Sequence, residues 1–144
     1  MQTAIDWRIH LCGYECWESR RETGFLPYLC NAHTHGMEKY HHPDFQVVLN
    51  LSIPEICRIL NTLSLMVKRG YRFHDGELVY SIYEDCPVRL SEFTESGRKV
   101  LRVVIPDRYN QYPENPECDH PYWFQQFETE KLYVRKKVRQ WNHI

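Results

Sequence analysis

The densest reactive side chains lie in two short segments, His33-Thr34-His35-Gly36 and His41-His42-Pro43-Asp44. A neutral imidazole offers a nitrogen lone pair to a metal or a proton, and a nearby carboxylate orients it or shares its charge. In a strand, alternate residues share a face, so His33 and His35 would act together. With such ligands the metal would be zinc or a related ion. The spacing fits equally well a site for a polar ligand, or histidines that serve only packing and solvation. A second zinc arrangement pairs Cys12-x3-Cys16 with Cys30-x2-His33, against ordinary buried thiols as the simpler account. None of the cysteines carries a local activating motif.

Acid-base chemistry would fall to His42, Asp44 and Asp107, each expected at a strand end where side chains reach solvent beside loops. Carboxylates at such ends also serve as turn-formers. The chain has no G-x-S-x-G, no glycine-rich phosphate loop and no H-E-x-x-H, which lowers the case for an enzyme.

The elements that must position these groups follow from periodicity. Residues 5–12, IDWRIHLC, alternate as a half-buried strand, and residues 18–22 read as an exposed loop. A second strand runs through FLPYLCNAHTHG, and DFQVVLNL is the strongest strand candidate because β-branched and aromatic residues dominate it. Ser52-Ile53-Pro54-Glu55 is a capping box with proline in the first turn. Ile56, Ile59, Leu60, Leu63, Met66 and Val67 then form one apolar stripe, and Gly70 supplies the stop. Asp75-Gly76 between two alternating runs predicts a hairpin joining residues 71–73 to 78–82. The stretch around Pro87 to Gly97 reads as a loop with at most a short edge strand. VLRVVI is a buried strand ending at Pro106, and the turn-rich loop after it is too long for mere connection.

These elements define an α+β domain: a mainly antiparallel sheet with one principal amphipathic helix packed on it. Residues 1–144 read as a single domain, with 128–144 as a basic-aromatic tail. Hydrophobic residues at 42% and charged residues at 26% are those of a chain that folds on its own. A net charge of -1 offers no global field for a polyanion, so nucleic acid is disfavoured as a partner. No stretch reaches the length of a membrane span. The opening MQTAIDWRIH lacks a secretory pattern, which makes the cytoplasm, with reduced thiols, the expected compartment. Arg outnumbers Lys two to one and aromatics reach 14%, a palette suited to stacking a base and meeting a phosphate.

In order, DWRIHLC, GFLPYLCNAHTHGM, HHPDFQVVLNL, the capped helix, the G-x-x-F-x-x-G of residues 70–76 and VVIPDRYNQYP resemble a bacterial and phage family of unknown function, number 4262. The similarity spans residues 5 to 127. It places Thr34, Gly36, His42, Pro43, Gly70, Asp107 and Pro113 at motif positions, with Met37 in place of Leu and Asp44 in place of Glu. The resemblance brings no activity with it, and the cysteines fall outside its motifs.

Three readings of function follow. The first is a binder of a small anionic, nucleotide-derived ligand without turnover and without a cofactor, held by Thr34, His35, Gly36, His42, Arg72, Asp107, Tyr109 and Tyr112. In a phage or bacterial setting its use would be to sequester an immune signal. The second is a hydrolase built on His42, Asp44 and Asp107, with a metal on His33 and His35. The third is an inhibitor of a protein partner, docking through aromatic residues around Trp123 and Trp141.

Overall fold

The computed structural model describes residues 6–13, 25–26 and 28–133. The 18–22 loop, Cys16, the basic part of the tail beyond residue 133 and Trp141 lie outside them.

Six strands form one sheet in the order β1-β2-β3-β6-β5-β4. They are β1 (Arg8–Cys12), β2 (Leu29–His35), β3 (Asp44–Leu49), β4 (Leu78–Val79), β5 (Val88–Glu95) and β6 (Arg98–Val104). All neighbours are antiparallel except β3 and β6, which run parallel at the centre with Asp44 opposite Val100. A parallel pair needs a crossover, and helix α1 (Ile53–Lys68) begins it. The fold is thus the α+β arrangement expected, one helix on a mainly antiparallel sheet.

Helix α1 starts where its sequence says it should. Ser52 Oγ accepts the Glu55 amide at 3.3 Å, and Gly70, at φ 108°, follows the last turn with its N–H on the Val67 carbonyl. Glu55 does not complete the capping box in return: its carboxylate takes Arg58 and the Tyr83 hydroxyl. Ile56, Ile59, Leu60, Leu63 and Val67 are buried with Ala32, Phe45, Val47, Leu90, Leu101 and Val103 of the sheet.

Two elements differ from the sequence reading. Asp75-Gly76 does form a turn, but residues 71–73 are no strand, and β4 pairs with β5 instead. The reason is local. The Phe73 N–H, which a hairpin would need, donates to His42 Nε2 at 3.1 Å, while Asp75 Oδ1 caps the Glu92 amide of β5 at 2.8 Å. The true hairpin lies one segment later. β5 is a full eight-residue strand in unbroken register with β6, turning at Ser96-Gly97, where both residues have positive φ, 51° and 78°. Such a turn matches the twist of the strands it joins.

The face of the sheet away from α1 is polar. Its centre is Arg102, fully buried on β6 and stacked 3.7 Å from the Phe93 ring centroid. Arg102 donates to Gln46 Oε1 at 2.7 Å, to Glu95 Oε2 at 2.6 Å, and to the carbonyls of Gln125 and Phe127, both at 2.6 Å. Burial lowers its pKa to about 10, against the pull of Glu95. Glu95 in turn accepts the Thr129 hydroxyl at 2.9 Å. These bonds hold the 3-10 segments Tyr122–Gln126 and Thr129–Lys131 over the sheet. The Gln125 side chain extends β6 by exchanging bonds with the Ile105 amide and carbonyl, at 2.8 and 2.7 Å. Trp123 stacks on His120 and meets Phe124 and Phe127 edge to face, so it belongs to this cover. Among the described residues, no helix is long and apolar enough to cross a membrane.

Candidate functional site

The turn between β2 and β3 is built by side chains that serve its backbone. Thr34, fully buried, donates its hydroxyl to Asp44 Oδ1 at 2.9 Å and accepts the Phe45 amide at 3.0 Å. The same Asp44 oxygen accepts the Met37 amide at 3.1 Å, and its second oxygen takes the Arg98 guanidinium. His42 Nε2 accepts from the Phe73 amide, so its proton sits on Nδ1 and is donated to the Pro43 carbonyl at 2.9 Å. Burial, chiefly, lowers the His42 pKa and keeps that ring neutral. Both His42 and Asp44 therefore have their hydrogen-bonding capacity committed to the fold.

Gly36 makes the turn possible. At φ 128°, a Cβ there would stand 2.7 Å from the Asp6 carbonyl oxygen and 2.9 Å from the Trp7 Cα. Residues 6 and 7 are fixed from the other side, with Lys68 on Asp6 at 2.5 Å and the Trp7 indole on Asn61 Oδ1 at 2.8 Å. The result is two adjoining clefts of about 360 and 410 Å3, which share His35 and Glu38. One adds Asp6, Arg8 and Lys39; the other adds Asp44, Arg98 and Lys99.

The lining brings together the cations Arg8, Lys39, Arg98 and Lys99 and the carboxylates Asp6, Glu38 and Asp44. Asp6 is matched by Lys68 and Asp44 by Arg98. Lys99 has Glu92 at 3.5 Å as an exposed neighbour. His35 stands between the clefts. Burial and the Arg98 charge hold its pKa below the ordinary value.

Asp107 does not join this site. It follows β6 at the far end from Asp44, roughly 20 Å along the strands at about 3.3 Å per residue. Its carboxylate accepts the amides of Tyr109, Gln111 and Asp119, at 2.9, 2.9 and 2.8 Å. Burial works against its charge, and these three amides together outweigh it and lower its pKa. It is the turn-former. Tyr109 and Tyr112 belong to that same far end: Tyr109 is exposed beside Arg108, and Tyr112 donates to the Pro87 carbonyl under Arg89. Arg72 is exposed on the 71–74 segment, where its charge acts on His42. The proposed pocket uniting residues 34–44 with 107–113 is therefore split by the length of the sheet, and so is the His42-Asp44-Asp107 constellation.

The polar sheet face next to the clefts carries what the spacing could not show. Register places His10 of β1 opposite His33 of β2, Arg8 opposite His35, and Cys12 opposite Asn31. Ligand atoms of His10, Cys12 and His33 all lie within 4.8 Å of one another. His33 Nε2 is 3.1 Å from His35 Nε2, and His10 meets both rings edge to face. Burial, then the neighbouring histidines, lower the His33 pKa to about 4. Cys30 does not share this cluster. It is buried, its thiol points at the Val47 and Leu49 carbonyls, and burial pushes its pKa up to about 12. The Cys12-Cys16-Cys30-His33 arrangement is thus not formed as a set, and Cys16 lies outside the described residues.

No family model matches the chain, and neither the curated proteins nor the solved structures give a match. Thr34, Gly36, His42, Gly70 and Asp107 each make or permit a backbone connection of the fold.

Proposed function

We propose that the protein binds a small anionic ligand, of the class of phosphate-bearing nucleotides, in the paired clefts around the β2–β3 turn. The observation that carries this reading is the grouping of the cations Arg8, Arg98 and Lys99 in clefts whose wall is made rigid by Thr34, Gly36 and Asp44. The clefts are open and their cations partly solvated. Exposed ion pairs contribute about 0.2–1 kcal/mol each, so affinity from them alone would be modest. Turnover has less support than binding, because His42 and Asp44 are occupied and Asp107 is distant.

The test is to incubate the purified protein with a nucleotide and cell-extract panel, separate it, denature it and identify what was held by mass spectrometry. An anionic ligand recovered intact, and lost in Arg8→Glu and Lys99→Glu, supports sequestration. A ligand recovered altered would make the protein an enzyme. Binding that both variants retain would contradict the placement.

A further inference from the structure

We infer that His10, Cys12 and His33 form a binding site for a zinc-class metal ion on strands β1 and β2, beside the anion clefts. Two imidazoles and a thiolate are ligands that zinc and its neighbours prefer. Around such an ion, with bonds of about 2.0–2.3 Å, ligand atoms of a tetrahedral set lie roughly 3.3–3.8 Å apart. The three atoms here already lie within 4.8 Å of one another, a gap that side-chain rotation closes. They come from directly paired and diagonal positions of two hydrogen-bonded strands, so the backbone holds the spacing.

The orientation of His33 is dictated from below. Arg102 can only donate, so the Gln46 oxygen faces it and the Gln46 NH2 faces Asn31 Oδ1 at 2.9 Å. Asn31 Oδ1 is then an acceptor, and it stands 3.2 Å from His33 Nδ1. The His33 proton then sits on Nδ1, and the lone pair is on Nε2, 3.1 Å from His35 Nε2. A ligating histidine is usually fixed through its second nitrogen by a hydrogen-bond acceptor, commonly a carboxylate or backbone carbonyl, and here the Asn31 amide oxygen takes that place. His35 is held in the opposite sense: Arg98 Nη1 lies 3.4 Å from its Nδ1, which places its proton on Nε2. His35 therefore donates to His33 Nε2 while no ion is bound, a bound ion takes that lone pair in its place, and the fourth coordination position falls to solvent or an exogenous ligand. His10 is exposed and Cys12 and His33 are half-buried, so an ion can enter.

Untagged protein is dialysed against Zn2+ and metal per chain is measured, with Co2+ as spectroscopic probe. One equivalent is expected, with a thiolate-to-cobalt charge-transfer band. Cys12→Ser should abolish the band, His33→Gln should weaken binding at least tenfold, and His35→Gln should retain one equivalent. Asn31→Leu should weaken binding 10- to 100-fold. Metal-dependent protection of Cys12 from alkylation in the wild-type chain gives a readout that needs no variant to fold. Absence of stoichiometric metal, an unprotected Cys12, or binding unchanged in His33→Gln would overturn the assignment.

Discussion

The two faces of the central sheet solve the same burial problem by opposite chemistry. Under α1, fully buried Ile56, Leu60, Leu63, Phe45, Val47 and Leu90 need nothing from one another but shape. On the other face, Arg102 is as deeply buried, and it is tolerable there only because Gln46, Glu95 and two carbonyls use its donors. Apolar packing fixes where the helix lies. The polar network fixes hydrogen-bond direction, and through Gln46 and Asn31 that direction reaches His33. The face that costs more to build is thus the one whose side chains are set up for chemistry.

The comparison breaks most visibly at Arg102. Arg102→Ala strands Glu95 and two carbonyls, and should cost about 3–5 kcal/mol in urea unfolding. A loss under about 1 kcal/mol would mean that the network holds nothing. On the apolar face, Leu60→Ala should cost about 2–5 kcal/mol by the same measurement, without altering the ring environment of His33 in NMR spectra. Gly36→Ala forces a side chain into the Asp6 carbonyl at positive φ, with an expected loss of about 1–3 kcal/mol in thermal unfolding, together with the anion affinity.

His42 gives a pH test of the turn. Its folded pKa is lowered below the unfolded value of about 6.5, mainly by burial; Arg72 and His74 act the same way, while the Pro43 carbonyl and Asp44 oppose them. The unfolded chain then binds more protons at low pH, so its contribution is whole above about pH 6.5 and is lost as pH falls from there through the folded pKa. Stability measured from pH 7.5 to 5 should decline, and the decline should be shallower in His42→Gln. The smallest effect is expected at the helix cap, where Ser52→Ala should cost about 1 kcal/mol.

How much of this was legible in the sequence depended on whether a signal was local. Helix α1 was readable because Ser52, Pro54, Gly70 and the apolar stripe all lie within one segment. β3 and β6 were readable as apolar runs. The hairpin expected at Asp75-Gly76 does not form because the fate of the Phe73 amide is decided by His42, 31 residues away. Ser96-Gly97 gives only a weak hairpin signal because serine seldom adopts positive φ, and the strong pairing of β5 with β6 supplies what the turn lacks. The H-x-H pair was visible, but its meeting with His10 and Cys12 depends on the β1–β2 register. His42, Asp44 and Asp107 have the right types for catalysis, and only the structure shows that backbone amides take up their lone pairs.

The proposed function puts the ligand at the β2–β3 end of the sheet and not at the Asp107 end. It is tested most directly by following backbone amide resonances while a phosphate-bearing nucleotide panel is titrated in. The account predicts shifts that saturate and cluster at residues 35–39 and 98–99, with Tyr109 and Tyr112 unmoved. Shifts confined to residues 107–113, or none with any member of the panel, would contradict it.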